Sequence, residues 1–504
     1  MIGDPPKSRR RWPRIGMLPA VGLLLLSMLI LRLAWGAWVG WQLERQLAQI
    51  RQRGEPADPS DLVFEPVPDA ENAWTIQRQA MAALVQGVES PRSSLLEYAH
   101  YPPYPPEWHR LARASEQAHQ QAFARARQAR TLLRVQIRKE LDLKRPEDLF
   151  RQLNNVRWLG NTLADAAVYA NLQGRDAEAV ERLLDLYHLA RSVRHDEAMI
   201  GQLVAIGLDD LACTAIQIVG PGLRLDGGST DEHARPQAVR QLIGELLDER
   251  LVWEGFRKSL LIERLFGMAM DERLAEGTVA IGPLAARESI RRNHNSTIMI
   301  EAARLENKPD AFAVLSRCRW DEPNPMRMGG LGSLFGAPEP EPTIPRYSRW
   351  FNSFSANLSG FFERHFRNLA HRRAAAVSLA CQLYRADHGR YPDRLDDMVP
   401  KYLPSPPADP FHADGRAMGY TLLRGSLPDG GDRPIIYFGV DESELAVGNT
   451  PQYEWIMDLR PGVAARQYRD VSRFAPPPSP ETVDDDPDEA DAPGEDAQAD
   501  HNAE

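Results

Sequence analysis

Apolar residues run without a charge from Ile15 to Leu31, and after Arg32 the run resumes as LAWGAWVGW. A helix of about 20 apolar residues crosses the hydrocarbon of a bilayer. The pattern therefore predicts a transmembrane helix over 15–38, with Arg32 snorkelling from its final turns. Trp12 on one flank and Trp35, Trp38 and Trp41 on the other stand where interfacial aromatic belts stand. A cleaved signal peptide has a shorter apolar region, about 7–15 residues, ending in small residues. Here the run is longer, leads into tryptophans, and is followed by no nearby cysteine to accept lipid. Lys7, Arg9, Arg10, Arg11 and Arg14 make 1–14 a basic tail that the positive-inside rule keeps in the cytoplasm. The expected location is the cell (inner) membrane, crossed once, with the bulk of the chain outside the cytoplasm.

The next most apolar stretch, Ala198 to Gly220, carries Asp209 and Asp210 at its middle. Each acid at a membrane centre costs about 2.5–3.5 kcal/mol, so this stretch is predicted to be a buried helix of a water-soluble body. Residues 39–70 read as a stalk, polar and proline-containing from Arg53 to Asp69. From 71 to 320 the 3.6-residue periodicity predicts a helical body, interrupted by YPPYPP at 101–106. One long helix is expected from about Trp108 to Leu143 and another from about Gln237 to Met270. In NTLADAAVYANLQGRDAEAVERLLDLYHLARSV, Ala166 and Ala170 lie on one helix and Val180, Leu183, Leu184 and Tyr187 on the next, with Gly174 between. The pattern resembles a single tetratricopeptide hairpin, a unit that needs neighbours to be stable. It is read as part of a helical bundle or hairpin body.

Composition shifts to Pro, Gly and Met over 321–352, a linker. A second unit over 353–461 begins with a helix, about Phe362 to Asp387, whose stripe is Phe362, Phe366, Leu369, Ala376, Ala380 and Leu383. Arg373 occupies a further place in that stripe, and His365 and His371 are assigned to the polar face. Gly389 is expected to end the helix in the left-handed region. A short helix near Arg394–Met398 and three strand-like runs, MGYTLL, PIIYFGV and YEWIMDL, follow. The fold class is thus mainly α, with an N-terminal transmembrane helix and a small α+β C-terminal module made of a long helix plus antiparallel sheet. The final residues, 475–504, form an acidic tail predicted to be disordered.

That tail accounts for the net charge. Between Glu481 and Glu504 there are 11 acids and no Lys or Arg, so a net charge of −10 leaves +1 for the rest. A near-neutral body carries no nucleic-acid footprint. Cys213, Cys318 and Cys381 are odd in number and lack ligand spacing, which argues against a disulfide framework.

The run LYRADHGRYPDRLDDMVPKYLPSPPADPF, followed by Gly419-Tyr420, resembles the C-terminal domain of type II secretion major pseudopilins. The matching positions are Tyr384, Asp387, Gly389, Tyr391, Pro392, Leu395, Val399, Tyr402, Leu403, Pro404, Asp409, Pro410 and Tyr420. The resemblance, over about 362–461, implies a helix paired with a small antiparallel sheet. Pseudopilins carry that module directly behind their own transmembrane helix, with a glutamate just inside it. Here the anchor begins RIGMLPAVG without one, and charged FERHFRN follows Gly360-Phe361. Asp429, Asp432 and Asp441 match the family's calcium loop only loosely. The layout as a whole is similar to that of uncharacterised bacterial envelope proteins.

Chemistry-bearing residues give no assembled site. His188 and His195, beside Asp196 and Glu197, lie seven residues apart, about 10.5 Å along a helix, too far to share one ion. Asp209 and Asp210 point about 100° apart as helical neighbours; a helix–helix hydrogen bond or an arginine partner is the expected role. No catalytic motif occurs, and Asn295-Ser296-Thr297 would accept a glycan only in a eukaryotic secretory setting. The expectation is a non-enzymatic scaffold or interaction protein, held in the bilayer through 15–38 and bound to a protein partner in the envelope. No catalytic, cofactor or metal residue is assigned. The alternatives are an envelope hydrolase with a site in the helical body, or an accessory of a type II secretion-like system.

Overall fold

A computed structural model describes residues 17–62, 65–88, 90–92, 104–138, 146–225, 232–276, 282–318, 346–424, 432–439 and 457–458. The acidic tail and residues 319–345 and 440–456 lie outside them. The described chain is mainly helical with one small antiparallel sheet.

α1 runs from Met17 to Gln52, long and apolar enough to cross a membrane. It does not stop at residue 38: 39–52, assigned to the stalk by sequence, continue the same helix. From residue 19 to 31 every position is exposed. Beyond that a stripe becomes covered, ending in Val39 and Ile50, each 2% exposed. The cover is α10 (Gly282–Ala302), and the Gln46 amide donates to the Ile290 carbonyl at 3.1 Å.

α2 (Ala73–Ala82) starts where Asn72 accepts the Trp74 amide, a cap that satisfies an otherwise unpaired helical N–H. The predicted long helix after the proline cluster is instead two, α3 (Pro106–Ala118) and α4 (Gln120–Ala129). They break at His119, and after Ala129 the chain extends so that Gln136 can bond Asn72 in both directions. α5 (Pro146–Leu172) and α6 (Asp176–Val193) form the expected hairpin, with Gly174 at φ +76° in the turn. α7 (Met199–Val219) packs on both and is largely buried, as its paired aspartates required. The Gln237–Met270 stretch also divides, at Asp248, into α8 (Pro236–Leu247) and α9 (Arg250–Glu276). α9 pairs with α10, and α11 (Lys308–Leu315) follows.

α12 extends from Arg346 to His388, so residues 346–352 of the sequence-defined linker open a helix. Phe361, Phe362, Phe366 and Leu369 enter a cluster with Phe256, Met299 and Leu315. From Ala370 to Tyr384 the same helix enters a second cluster that reaches Trp74, Leu163, Leu183 and Ile216 on one side and Met398, Ile436 and Phe438 on the other. Gly389, at φ +69°, ends it as anticipated. The sheet follows the order β1 (Gly419–Leu423), β2 (Arg433–Tyr437), β3 (Met457–Asp458), antiparallel throughout. Gly419 pairs with Tyr437, whose ring occupies the space a Cβ would need.

Candidate functional site

The densest group of buried charge lies where α6, α7, α8 and α12 meet. Asp209, wholly buried on α7, accepts from Arg372 at 2.9 Å and from Arg194 just past α6. Burial pushes the Asp209 carboxyl up, and Arg194 and Arg372 more than offset it, so it is held below the usual range. Arg194 also donates to Asn368 on α12 at 3.0 Å, and Asn368 donates to Asp210 at 3.3 Å. His371 Nδ1 lies 3.0 Å from the same Asp210 oxygen. Arg372 also donates to the carbonyls of Glu245 (2.7 Å), Leu246 (3.1 Å) and Asp248 (3.1 Å). Those groups end α8, where helical carbonyls lack their own partners and a cation is favoured.

The pattern repeats across the body. Asp165 holds Arg92, Asp185 holds Arg127, and Asp176 holds Arg224, each pair with a contact of 2.8–2.9 Å. Asp196 holds Arg138 through two bonds of 3.0 Å, and Glu249 clamps Arg373 at 2.6 and 2.7 Å. In each pair a buried or half-buried acid meets an arginine from a different segment. Burial still pushes the carboxyls of Asp165 and Asp185 up, against the pull of Arg92 and Arg127. The arrangement ties elements together.

The histidines follow the same logic. His188 meets Gln77 at 3.1 Å, and burial lowers its pKa to about 4. Asp196 and Glu197 are occupied by Arg138 and Lys258, away from any shared centre with His188. His365 and His371 are not on a polar face, as their spacing had suggested; they are 1% and 6% exposed. They lie on the packed sides of α12, whose outer side there carries the exposed Arg364, and His365 stacks on Phe256 at 3.8 Å between centroids. Burial first, then Arg194, Arg257 and Arg373, drives the His365 pKa well down, so it is neutral. Among the described residues no three His, Cys, Asp or Glu converge on a metal position. The three cysteines are buried and free, and burial raises the Cys381 thiol to about 12 and Cys318 to about 11; neither is a thiolate near neutral pH.

In the C-terminal part, the positions singled out by sequence bond to one another. Tyr402 donates to Asp387 at 2.6 Å, and Tyr420 donates to the Pro392 carbonyl at 2.8 Å. Asp409 accepts from the amides of Phe411 (2.9 Å) and Gly439 (2.6 Å), pinning the Asp409-Pro410-Phe411 turn to the end of β2. Asp429 and Asp441 lie outside the described residues. Sequence reasoning missed Arg194, Asn368 and Arg372; two adjacent arginines ahead of an alanine-rich run on a buried helix were the available signal.

One acid stands apart. Glu263 on α9 keeps little exposed surface, and burial raises its pKa to about 7 against a weaker opposing pull from Arg292. Its folded-state pKa lies above the unfolded one, so its contribution is complete below about pH 4.5 and is lost as pH rises through 7. Glu263→Gln should therefore stabilise the protein at pH 8, by at most about 3 kcal/mol given solvent screening, and by nothing at pH 4.5. Denaturant melts of both proteins at the two pH values check this; a gain independent of pH would refute the assignment.

Comparison of the chain with protein-family models, with curated proteins and with solved structures finds no match.

Proposed function

We propose that this chain is a bitopic, membrane-anchored envelope protein that works without catalysis, as a scaffold for another protein. The N-terminus lies in the cytoplasm on this reading and the helical body outside it. The observation that supports the non-catalytic reading is the locking of buried acids to arginines from other segments, above all Asp209 between Arg194 and Arg372. The pseudopilin-like character of the C-terminal part belongs to the same proposal. It offers a route to a secretion-system partner through the exposed edge carrying Arg390 and Thr421.

Photo-crosslinking in cells tests this. A photoreactive residue is placed at Arg390, at Thr421, or at Leu133, which is 89% exposed on the helical body. A single saturable envelope partner at Arg390 or Thr421, missing at Leu133, is the expected result. Capture at Leu133 alone moves the docking face to the body. Absence of ultraviolet-dependent adducts at all three positions defeats the scaffold reading.

A further inference from the structure

We infer that the start of α10 is a second membrane contact, seated in the boundary between headgroups and acyl chains beside the anchor. The inference rests on the reading of α1 as a membrane span.

The uncharged run ahead of Arg32 covers Ile15 to Leu31, 17 residues. At 1.5 Å per residue that is about 25 Å, short of the ~30 Å hydrocarbon layer, and tilting the helix widens the deficit. The apolar layer must therefore reach past Arg32 towards Trp35 and Trp38. That is where protein cover begins. Arg32, Trp35 and Gly36 are the first partly covered positions after a fully exposed run, and Val39 is the first buried one. Pro283, on the opening turn of α10, lies against Gly36: its Cγ would stand 3.2 Å from a Cβ there. From that point α10 runs in the same direction as α1, since Gln46 bonds Ile290 further along. Among the described residues, the beginning of α10 thus lies against the stretch of α1 that carries Trp35, level with the tryptophans.

Its composition suits that depth. Asp271, Glu272, Arg273 and Glu276 close α9, and Arg287 and Glu288 follow on α10, whereas Gly282, Pro283, Leu284, Ala285 and Ala286 carry no charge. A helix start facing only water has no need to exclude charge there. One seated at an interface does, with charged neighbours at headgroup height. The occupant of this surface is lipid, because the α1 face beside it is the one already committed to lipid.

Spin labelling of the full-length chain in phosphatidylethanolamine–phosphatidylglycerol liposomes tests the inference. Labels go on Leu284→Cys and Ala286→Cys, with Leu25→Cys as the lipid reference and Arg304→Cys as the aqueous one; the native thiols are buried and label slowly. Power saturation should show Leu284→Cys and Ala286→Cys favouring oxygen over a nickel chelate, with nickel access severalfold below that at Arg304→Cys. If both match Arg304→Cys while Leu25→Cys reports lipid, the contact is disproved and the span stands. If both are inaccessible to either collider, the surface is buried in protein and the inference also fails. If Leu25→Cys itself reports water, or the protein does not float with the liposomes, the span reading is what has failed.

Discussion

Arg372→Met is expected to cost at least about 4 kcal/mol, the largest effect of any single substitution in the body. Removing one member of a buried ion pair costs about 3–5 kcal/mol, because the other charge is left without compensation. Here Asp209 keeps Arg194, which softens that loss. The carbonyls of Glu245, Leu246 and Asp248 have no such reserve in this network, since Arg372 serves all three. Left unsatisfied, the buried Leu246 carbonyl adds about 1–3 kcal/mol, and the part-buried carbonyls of Glu245 and Asp248 add less. Arg372→Lys separates the two contributions: it keeps a charge for Asp209 but loses the planar fork that reaches several carbonyls at once. Thermal unfolding of detergent-solubilised protein should rank wild type above Arg372→Lys and Arg372→Met lowest. Equal melting for lysine and methionine would show that the carbonyls do not depend on the guanidinium.

Ending the chain before Arg346 should abolish the fold of the preceding body, even though composition places a linker there. The truncation removes α12, and with it Phe361, Phe362, Phe366 and Leu369 from the cluster around Phe256. Four large apolar side chains at about 1.5–3 kcal/mol each come to about 6–12 kcal/mol, comparable to the whole stability of a domain. The loss of Arg372 and Arg373, and of the alanine-rich face from Ala370 to Ala380, comes on top of that. The truncated chain should be cleaved rapidly by added protease and fail to accumulate. A protease-resistant fragment ending near Cys318 would show the body to be self-sufficient. Partner capture by such a truncation would therefore report unfolding rather than docking, a confusion that point-placed crosslinkers avoid.

Much of this architecture was legible in the chain. Periodicity located α1, the α5–α6 hairpin and the helix before Gly389, and turn residues located the strands. The breaks at His119 and Asp248 were not legible, because both stretches continue in good helix formers. α8 ends where Asp248 turns extended and accepts the Arg250 amide, and the carbonyls freed there are met by Arg372, more than a hundred residues away. The burial of His365 was hidden for a related reason. A helix packed against several neighbours keeps only a narrow polar face, here Arg364 and Arg367, and a single 3.6-residue stripe describes only the side against one neighbour. The ion pairs are equally non-local: each joins segments whose pairing is decided by packing. The acids and histidines were visible in the sequence as scattered residues; the partners they take were not.

Arg264, fully buried on α9, donates to Glu55 at 2.7 Å and to the Pro56 carbonyl at 2.9 Å, just past the end of α1. Together with the α10 stripe this leaves α1 no swivel between Arg32 and Pro56. Once the N-terminal half of α1 sits in a bilayer, the span acts as the short arm of a lever and the body as the long one. A torque on the span, from a neighbouring helix or a change in bilayer thickness, is delivered as a change of azimuth or lean in the body. With α1 so placed, the body could not sample headings independently of it, and a ligand that fixed the body's heading would also fix which flank of α1 faced the lipid.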